Sequence, residues 1–135
     1  MPTLETPYSI LNEIVRDVLA KSGRSTSAEI QLMPFDPRVL GFVKAGQNVI
    51  YVNTIPLKSI GSDKVREYLY VVILHEYFHL LGIADEREVR RMTVEMVSEK
   101  FGEDSYAHRL SMSLADPRDV TLINSWKHGK PLSYM

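Results

Sequence analysis

Apolar positions in the first part of the chain recur at the spacing of an α-helix. They are Ile10, Leu11, Ile14, Val15, Val18 and Leu19. Thr6 and Pro7 are typical of a helix start, the first as the N-cap and the second at the first helical position, and Gly23 is typical of a helix end. The pattern predicts a first helix whose single apolar stripe lies on a sheet.

Three short segments with the character of strands follow. They are Glu29–Met33, Val39–Lys44 and Asn48–Asn53. The turn Ala45-Gly46-Gln47 is predicted to join the last two as a hairpin. Because the third segment is apolar on both faces, we expect an inner strand, or an edge strand covered by something that binds there. Strands and helices in this order predict an α+β fold with a short mixed sheet.

A second helix is predicted to run to Gly82, with Ser62 and Asp63 as its caps. Its middle, Tyr68–Leu74, is apolar all round, so the helix is expected to be buried. A third helix is predicted from the cap Asp85 to Phe101, ending at Gly102, with one apolar face. Since Gly82 turns the chain, the third helix is expected to run antiparallel to the second. Further helices are predicted at 106–114 and from 116–119, and an irregular tail from 128 to 135.

Length and composition predict one ordinary globular domain that spans residues 1–135. The apolar share is 44%, the charged share 24% and the net charge -1, so no nucleic-acid partner is expected. With no cysteine in the chain, a metal would have to bind His, Asp or Glu. The chain shows no secretion signal, and its longest apolar run is too short for a bilayer. We therefore expect a cytoplasmic protein without a membrane partner.

The buried second helix ends in His75-Glu76-Tyr77-Phe78-His79. Residues four apart share a helix face, so both imidazoles can bind one metal ion. Glu76 is turned away from them and is placed to act as the catalytic general base on water at a zinc ion. Burying three ionisable groups unpaired would cost several kcal/mol, and a bound cation removes that cost. The motif therefore predicts a zinc site in which His75 and His79 are ligands.

The third ligand is expected in the first turn of the third helix, which faces the metal. Asp85, Glu86 and Glu88 are the candidates there, and helix geometry favours Glu86. The alternative is that Asp85 serves only as an N-cap and that the glutamates only favour the positive end of the helix dipole.

These motifs resemble those of the small gluzincin metallopeptidases, including the ImmA/IrrE type and minimal archaeal forms. Their second signature is similar to E-x-x-A-N/D-x-F-A, which Glu86–Thr93 follows loosely. Val89 stands for the alanine, Met92 for the phenylalanine, and Arg90 for the usual Asn or Asp. The resemblance covers residues 48 to 97. It implies a zincin fold, zinc bound through Glu86, and a peptide or protein substrate.

A second resemblance is to the metzincins, because His75–Asp85 reads H-E-x-x-H-x-x-G-x-x-D. Ser111-Met112-Ser113 would then be the methionine turn below the metal, although a methionine there is more often plain core. The same spacing is similar to that of bacterial rRNA-processing hydrolases, H-x-x-x-H-x-x-G-x-x-H. Glu76 favours peptidase chemistry, and an RNA hydrolase or a non-catalytic zinc-stabilised binding module is the alternative.

Other residues have both a functional and a structural interpretation. The resemblance implies that Asn48–Asn53 borders the cleft and pairs with extended substrate, but an ordinary core strand is equally compatible with its sequence. Tyr106 and His108 are candidates to stabilise the oxyanion, with packing or surface roles as the alternative. The tail 131–135 either covers the cleft or is a frayed terminus. Five basic residues are expected on solvated helix faces: Lys64, Arg66, Arg87, Arg90 and Arg91.

Overall fold

The chain folds as helices and a three-stranded mixed sheet within residues 5–114, the part that the computed structural model describes. In chain order the elements are α1 (Glu5–Ser22), β1 (Glu29–Met33), β2 (Gly41–Phe42), β3 (Val49–Asn53), a 3₁₀ turn (Pro56–Lys58), α2 (Ser62–Leu80), α3 (Glu86–Phe101) and α4 (Tyr106–Leu114). The predicted α+β class is confirmed. The helix start predicted at 116–119 and the tail from 128 lie outside the described residues.

β3 is the middle strand of the sheet, between β1 and β2. It pairs in parallel with β1 and antiparallel with β2, so the apolar residues on both of its faces belong to an inner strand. β2 is shorter than the predicted segment Val39–Lys44. The amide of the Asn53 side chain lies 2.8 Å from the carbonyl oxygen of Val39 and 3.1 Å from that of Phe35, so this side chain holds the chain before β2 in place of strand pairing.

α2 forms the centre of the molecule, because every residue from Tyr68 to Phe78 is buried. The predicted buried helix is thus confirmed, but its predicted caps are wrong. Gly61 is the N-cap, and no side chain forms a hydrogen bond there; Ser62 and Asp63 lie inside the first turn. Within residues 5–114, no helix combines the length and apolar character needed to cross a membrane.

α1 packs against α2 and β1 through the predicted apolar stripe. Of the predicted stripe, Ile10, Leu11, Ile14 and Val18 are buried and Val15 is partly buried, but Leu19 is 47% exposed. The hydroxyl of Tyr8 accepts a hydrogen bond from the backbone N–H of Ile30 in β1. The helix begins at Glu5, so Thr6 lies inside it and does not cap it. Gly23 ends the helix as predicted, with a φ of 74° and its N–H donated to the carbonyl of Leu19.

α3 runs antiparallel to α2, as predicted. Its first residue, Glu86, lies beside His75 and His79 near the end of α2. Its last residue, Phe101, packs edge-on against Tyr70 in the earlier half of α2, with ring centroids 5.1 Å apart. This arrangement brings the start of α3 to the histidine pair.

Candidate metal centre

The two histidines of the motif lie one turn apart on α2 and face the same neighbour. His75 is 1% exposed, and its ring centroid lies 5.2 Å from that of His79. Both rings approach α3 because a tight turn follows α2. Gly82 has a φ of 98°, which favours glycine, and its N–H is donated to the carbonyl of His79.

Glu86 is the acidic residue that meets the histidine pair. Its Oε1 lies 2.6 Å from Nε2 of His75, and its Oε2 lies 3.0 Å from Nε2 of His79. The donor atoms of the three residues all lie within 4.8 Å of one another. The chain therefore holds a His/His/Glu group that could bind a metal ion.

The other two acidic candidates for third ligand have different contacts. The Asp85 carboxylate accepts hydrogen bonds from the backbone N–H groups of Arg87 and Glu88, as the N-cap of α3. Glu88 is paired with Arg91 on the exposed side of the helix. The contact of Asp85 matches its structural alternative as an N-cap, and the two contacts leave Glu86 as the carboxylate that faces the histidines.

The hydrogen bond of His79 to the backbone selects its tautomer. Its Nδ1 lies 2.8 Å from the carbonyl oxygen of Ile83. Because a carbonyl only accepts, Nδ1 carries the proton, and the neutral ring then presents the Nε2 lone pair to Glu86. This tautomer, held by a backbone carbonyl, is one that metal-binding histidines commonly adopt.

The charges around His79 favour a cation at Nε2. Burial lowers the pKa of His79, but the carboxylates of Glu86 and Glu76 outweigh burial and hold it above its usual value. Burial likewise raises the pKa of Glu86, whereas the imidazoles of His75 and His79 together bring it down to about 2. The Glu86 carboxylate and the two imidazole nitrogens thus favour a positive charge between them, which a proton or a metal ion can supply.

The donor set fits a metal ion by a further observation. Nε2 of His79 is buried and makes no aligned hydrogen bond with any residue from 5 to 114, although Oε2 of Glu86 is 3.0 Å away. A metal ion held by these residues would satisfy this nitrogen, because a neutral imidazole nitrogen with a free lone pair is a metal ligand. The residues present therefore fit a metal centre.

Glu76 lies beside this group and against the sheet. The residue is fully buried, and its charge raises the pKa of His79. A Cβ added to Gly41 would lie 3.5 Å from Cγ of Glu76, so β2 passes beside this side chain. β2 is an edge strand of the described sheet. β3 has a partner strand on each side, so the prediction that it pairs with substrate is wrong. The alternative interpretation, an ordinary core strand, is correct.

Tyr106 and His108 lie at the other end of the helices. Nδ1 of His108 is 2.6 Å from Oγ of Ser98, which is about 18 Å further along α3 than Glu86. Lys64, in the first turn of α2, stacks over the Tyr106 ring. The structure thus does not bring these two residues to the histidine pair. Met112, the candidate for a methionine turn, is exposed on α4.

Arg90 is a neighbour of the site that the sequence interpretation missed. It was expected on a solvated face, but the residue is only 7% exposed. Its Nε lies 3.9 Å from Oε1 of Glu86. Its position in the sequence could have indicated this role, because Arg90 lies one turn after Glu86, where the resembled signature has Asn or Asp.

No protein-family model matches this chain, and no curated protein matches it in sequence.

Proposed function

We propose that this protein is a zinc-dependent metallopeptidase. The observation that carries the proposal is the convergence of His75, His79 and Glu86 beside a buried glutamate, Glu76. The resemblance of the motif to the gluzincins agrees with this donor set. A structural ion-pair cluster would not need a second carboxylate at the same place, whereas a hydrolytic site needs a base.

Zinc is the metal that these ligands favour. Imidazole nitrogen and carboxylate oxygen are its usual ligands in catalytic sites, where three protein ligands leave a fourth position open. A bound zinc ion would supply a Lewis acid that activates water and polarises the carbonyl group of the substrate.

Glu76 is the general base in this proposal. It follows His75 on the same helix, so its carboxylate is held by the buried backbone of α2. In a buried setting its charge acts more strongly than it would in water. Glu76 accepts a proton from the attacking water and passes it to the nitrogen of the leaving amine.

β2 is the element that would orient the peptide. Its backbone passes beside Glu76 at Gly41 and lies at an edge of the described sheet. An extended peptide that adds as a further strand on this edge would bring its backbone carbonyl groups close to the general base.

The test compares Glu76→Gln with the wild-type protein, both loaded with zinc. The substitution removes the base but keeps the size of the side chain, so we expect unchanged zinc content and a loss of about 100-fold or more in peptide cleavage. Cleavage is measured by mass spectrometry of fragments from a mixed peptide library. Glu88→Gln is the matched control, because Glu88 lies outside the site, and it should cleave like the wild type.

Two results would count against this proposal. Fragment yields that are equal for Glu76→Gln and the wild type would remove Glu76 from the mechanism. Zinc binding by the wild type, with no cleavage of any peptide in the library, would favour the non-catalytic binding module.

A further inference from the structure

Arg90 is a buried cation placed directly beside the candidate metal centre. Its side chain is 8% exposed, and Nε lies 3.9 Å from Oε1 of Glu86, one helical turn earlier. Its Nη2 is buried and makes no hydrogen bond with any residue in the described range 5–114. An arginine on a solvated helix face can form such an ion pair, but it would not be buried with a nitrogen that lacks a hydrogen bond.

Within residues 5–114, the contacts of Arg90 leave its buried Nη2 without a hydrogen bond, and this carries a cost. The guanidinium keeps its charge inside a protein, and a buried charged donor without a partner is strongly unfavourable. The distance of 3.9 Å to Glu86 is too long for a hydrogen bond. A carboxylate oxygen that turned toward Arg90 would satisfy it.

A Glu86 oxygen is available to Arg90 only when another group takes the place of the carboxylate in its contacts with the histidines. In the structure, both of its oxygens face imidazole nitrogens, at 2.6 Å from His75 and 3.0 Å from His79. If His75 and His79 held a metal ion, their Nε2 atoms would be occupied by it and would no longer engage Glu86. A carboxylate that coordinates the ion through one oxygen then has its second oxygen available, and such oxygens are commonly hydrogen-bonded by a neighbouring group.

We infer that Arg90 is a positioning residue for the metal ligand Glu86: its guanidinium binds the Glu86 oxygen that does not coordinate the ion. The inference rests on the metal centre proposed above. It assigns to Arg90 the support of the carboxylate ligand, at a position where the resembled signature has Asn or Asp. The planar fork of arginine suits a carboxylate, and its charge balances Glu86 when the ion is absent.

The experiment measures the zinc dissociation constant of the full chain by competition with a chelator. Arg90→Met keeps the apolar stem and removes the donors, so we expect zinc binding weaker by about 10–100-fold. Arg90→Lys keeps the charge without the fork and should show a smaller loss. Arg87→Met is the matched control on the same helix, because Arg87 is exposed, and it should bind zinc like the wild type.

A second readout separates positioning from a general effect on folding. The absorption spectrum of the Co²⁺-loaded protein reports the geometry around the ion, and it should change in Arg90→Met but not in Arg87→Met. In a Glu86→Asp background, which keeps a carboxylate ligand but shortens its reach toward Arg90, adding Arg90→Met should cause a smaller loss of affinity than in the wild-type chain, because the two residues act through one contact. If Arg90→Met does not fold, Arg90→Lys takes its place in both measurements.

The outcomes distinguish this inference from the proposed function. The role of Arg90 would be overturned if Arg90→Met had the zinc affinity and the Co²⁺ spectrum of the wild type. The same holds for Arg90→Lys if that variant is measured in place of Arg90→Met. Either result would leave the metal centre standing. The same loss of affinity in the wild-type chain and in the Glu86→Asp background would also overturn the role of Arg90. A wild-type protein that binds no zinc would overturn both the metal centre and this inference.

Discussion

Gly41 occupies a place in β2 where a side chain has no room. A Cβ there would lie 2.7 Å from Cγ1 of Val72, which is fully buried, and 3.0 Å from the backbone oxygen of Tyr51. The absence of a side chain lets the strand approach α2 at Glu76. The packing of the candidate site thus depends on a residue that contributes no functional group.

We predict that Gly41→Ala destabilises the protein by about 1–3 kcal/mol, because it overpacks a filled core. Urea denaturation of the metal-free protein measures the change. Gly61→Ala is the comparison: a Cβ there meets only the end of the Asp63 side chain, so its cost should be limited to that of replacing glycine by alanine at an N-cap, below about 1 kcal/mol. Equal stability of Gly41→Ala and the wild type would show that β2 can move away from α2 freely.

Some residues of the candidate site could be predicted from the sequence, and others could not. The spacing of His75 and His79 placed both rings on one helix face, because that geometry is local to a helix. The choice among Asp85, Glu86 and Glu88 depended on how α3 is rotated against α2, which local spacing does not determine. The burial of Arg90 depended on the same packing, so composition alone suggested a solvated charge.

At the scale of elements, α3 brings its capping residue and the candidate ligand into neighbouring positions. Asp85 accepts hydrogen bonds from two backbone N–H groups of the first turn, and Glu86 directly after it faces the histidines. The cap fixes where the helix begins, and with it the direction of the next side chain.

We predict that Asp85→Ala lowers the free energy of unfolding of the metal-free protein by about 1 kcal/mol and leaves the zinc content unchanged. Asp85→Asn should restore the stability, because asparagine caps nearly as well. Urea denaturation and elemental analysis of the same samples make the comparison. Loss of zinc in Asp85→Ala with wild-type stability would instead indicate that Asp85 is a ligand.

The elements themselves were predicted well where their pattern is long. α2 and the helices after it were found from runs of apolar residues and from glycine stops. β2 was predicted as six residues and has two, because hydrogen bonds from the Asn53 side chain replace strand pairing before it. The predicted caps of α2 were wrong, since Ser and Asp near a helix start are typical caps but Gly61 takes that position.

At the scale of the whole molecule, ion pairs join the helices at the end remote from the histidines. Glu13 of α1 binds Arg66 of α2 and Lys100 of α3, and Lys100 also binds Asp17. The hydrogen bond from Arg66, together with Lys100, lowers the pKa of Glu13 to about 2 against the effect of burial. The pairing ties α1, α2 and α3 together, although partly exposed pairs contribute little stability each.

The whole-molecule class was predictable because one helix, a run of three strands and then a run of helices is an order typical of α+β domains. The sheet order β1-β3-β2 places β3 in the middle, which is one of the two positions expected from its apolar character on both faces. The contact of α1 with α2 was not predicted, because an apolar stripe indicates that a helix is covered but not by which element.

The zinc content of the purified chain, measured after zinc is supplied and the excess is removed, tests most simply whether the three residues form a metal centre. We predict about one zinc ion per wild-type chain, loss of that ion in His79→Ala and in Glu86→Ala, and full retention in Glu88→Ala, because Glu88 pairs with Arg91 outside the site. Elemental analysis of the four proteins gives the result. A wild-type chain without zinc, or a chain that loses its zinc with Glu88→Ala and keeps it with Glu86→Ala, would contradict the metal centre described above.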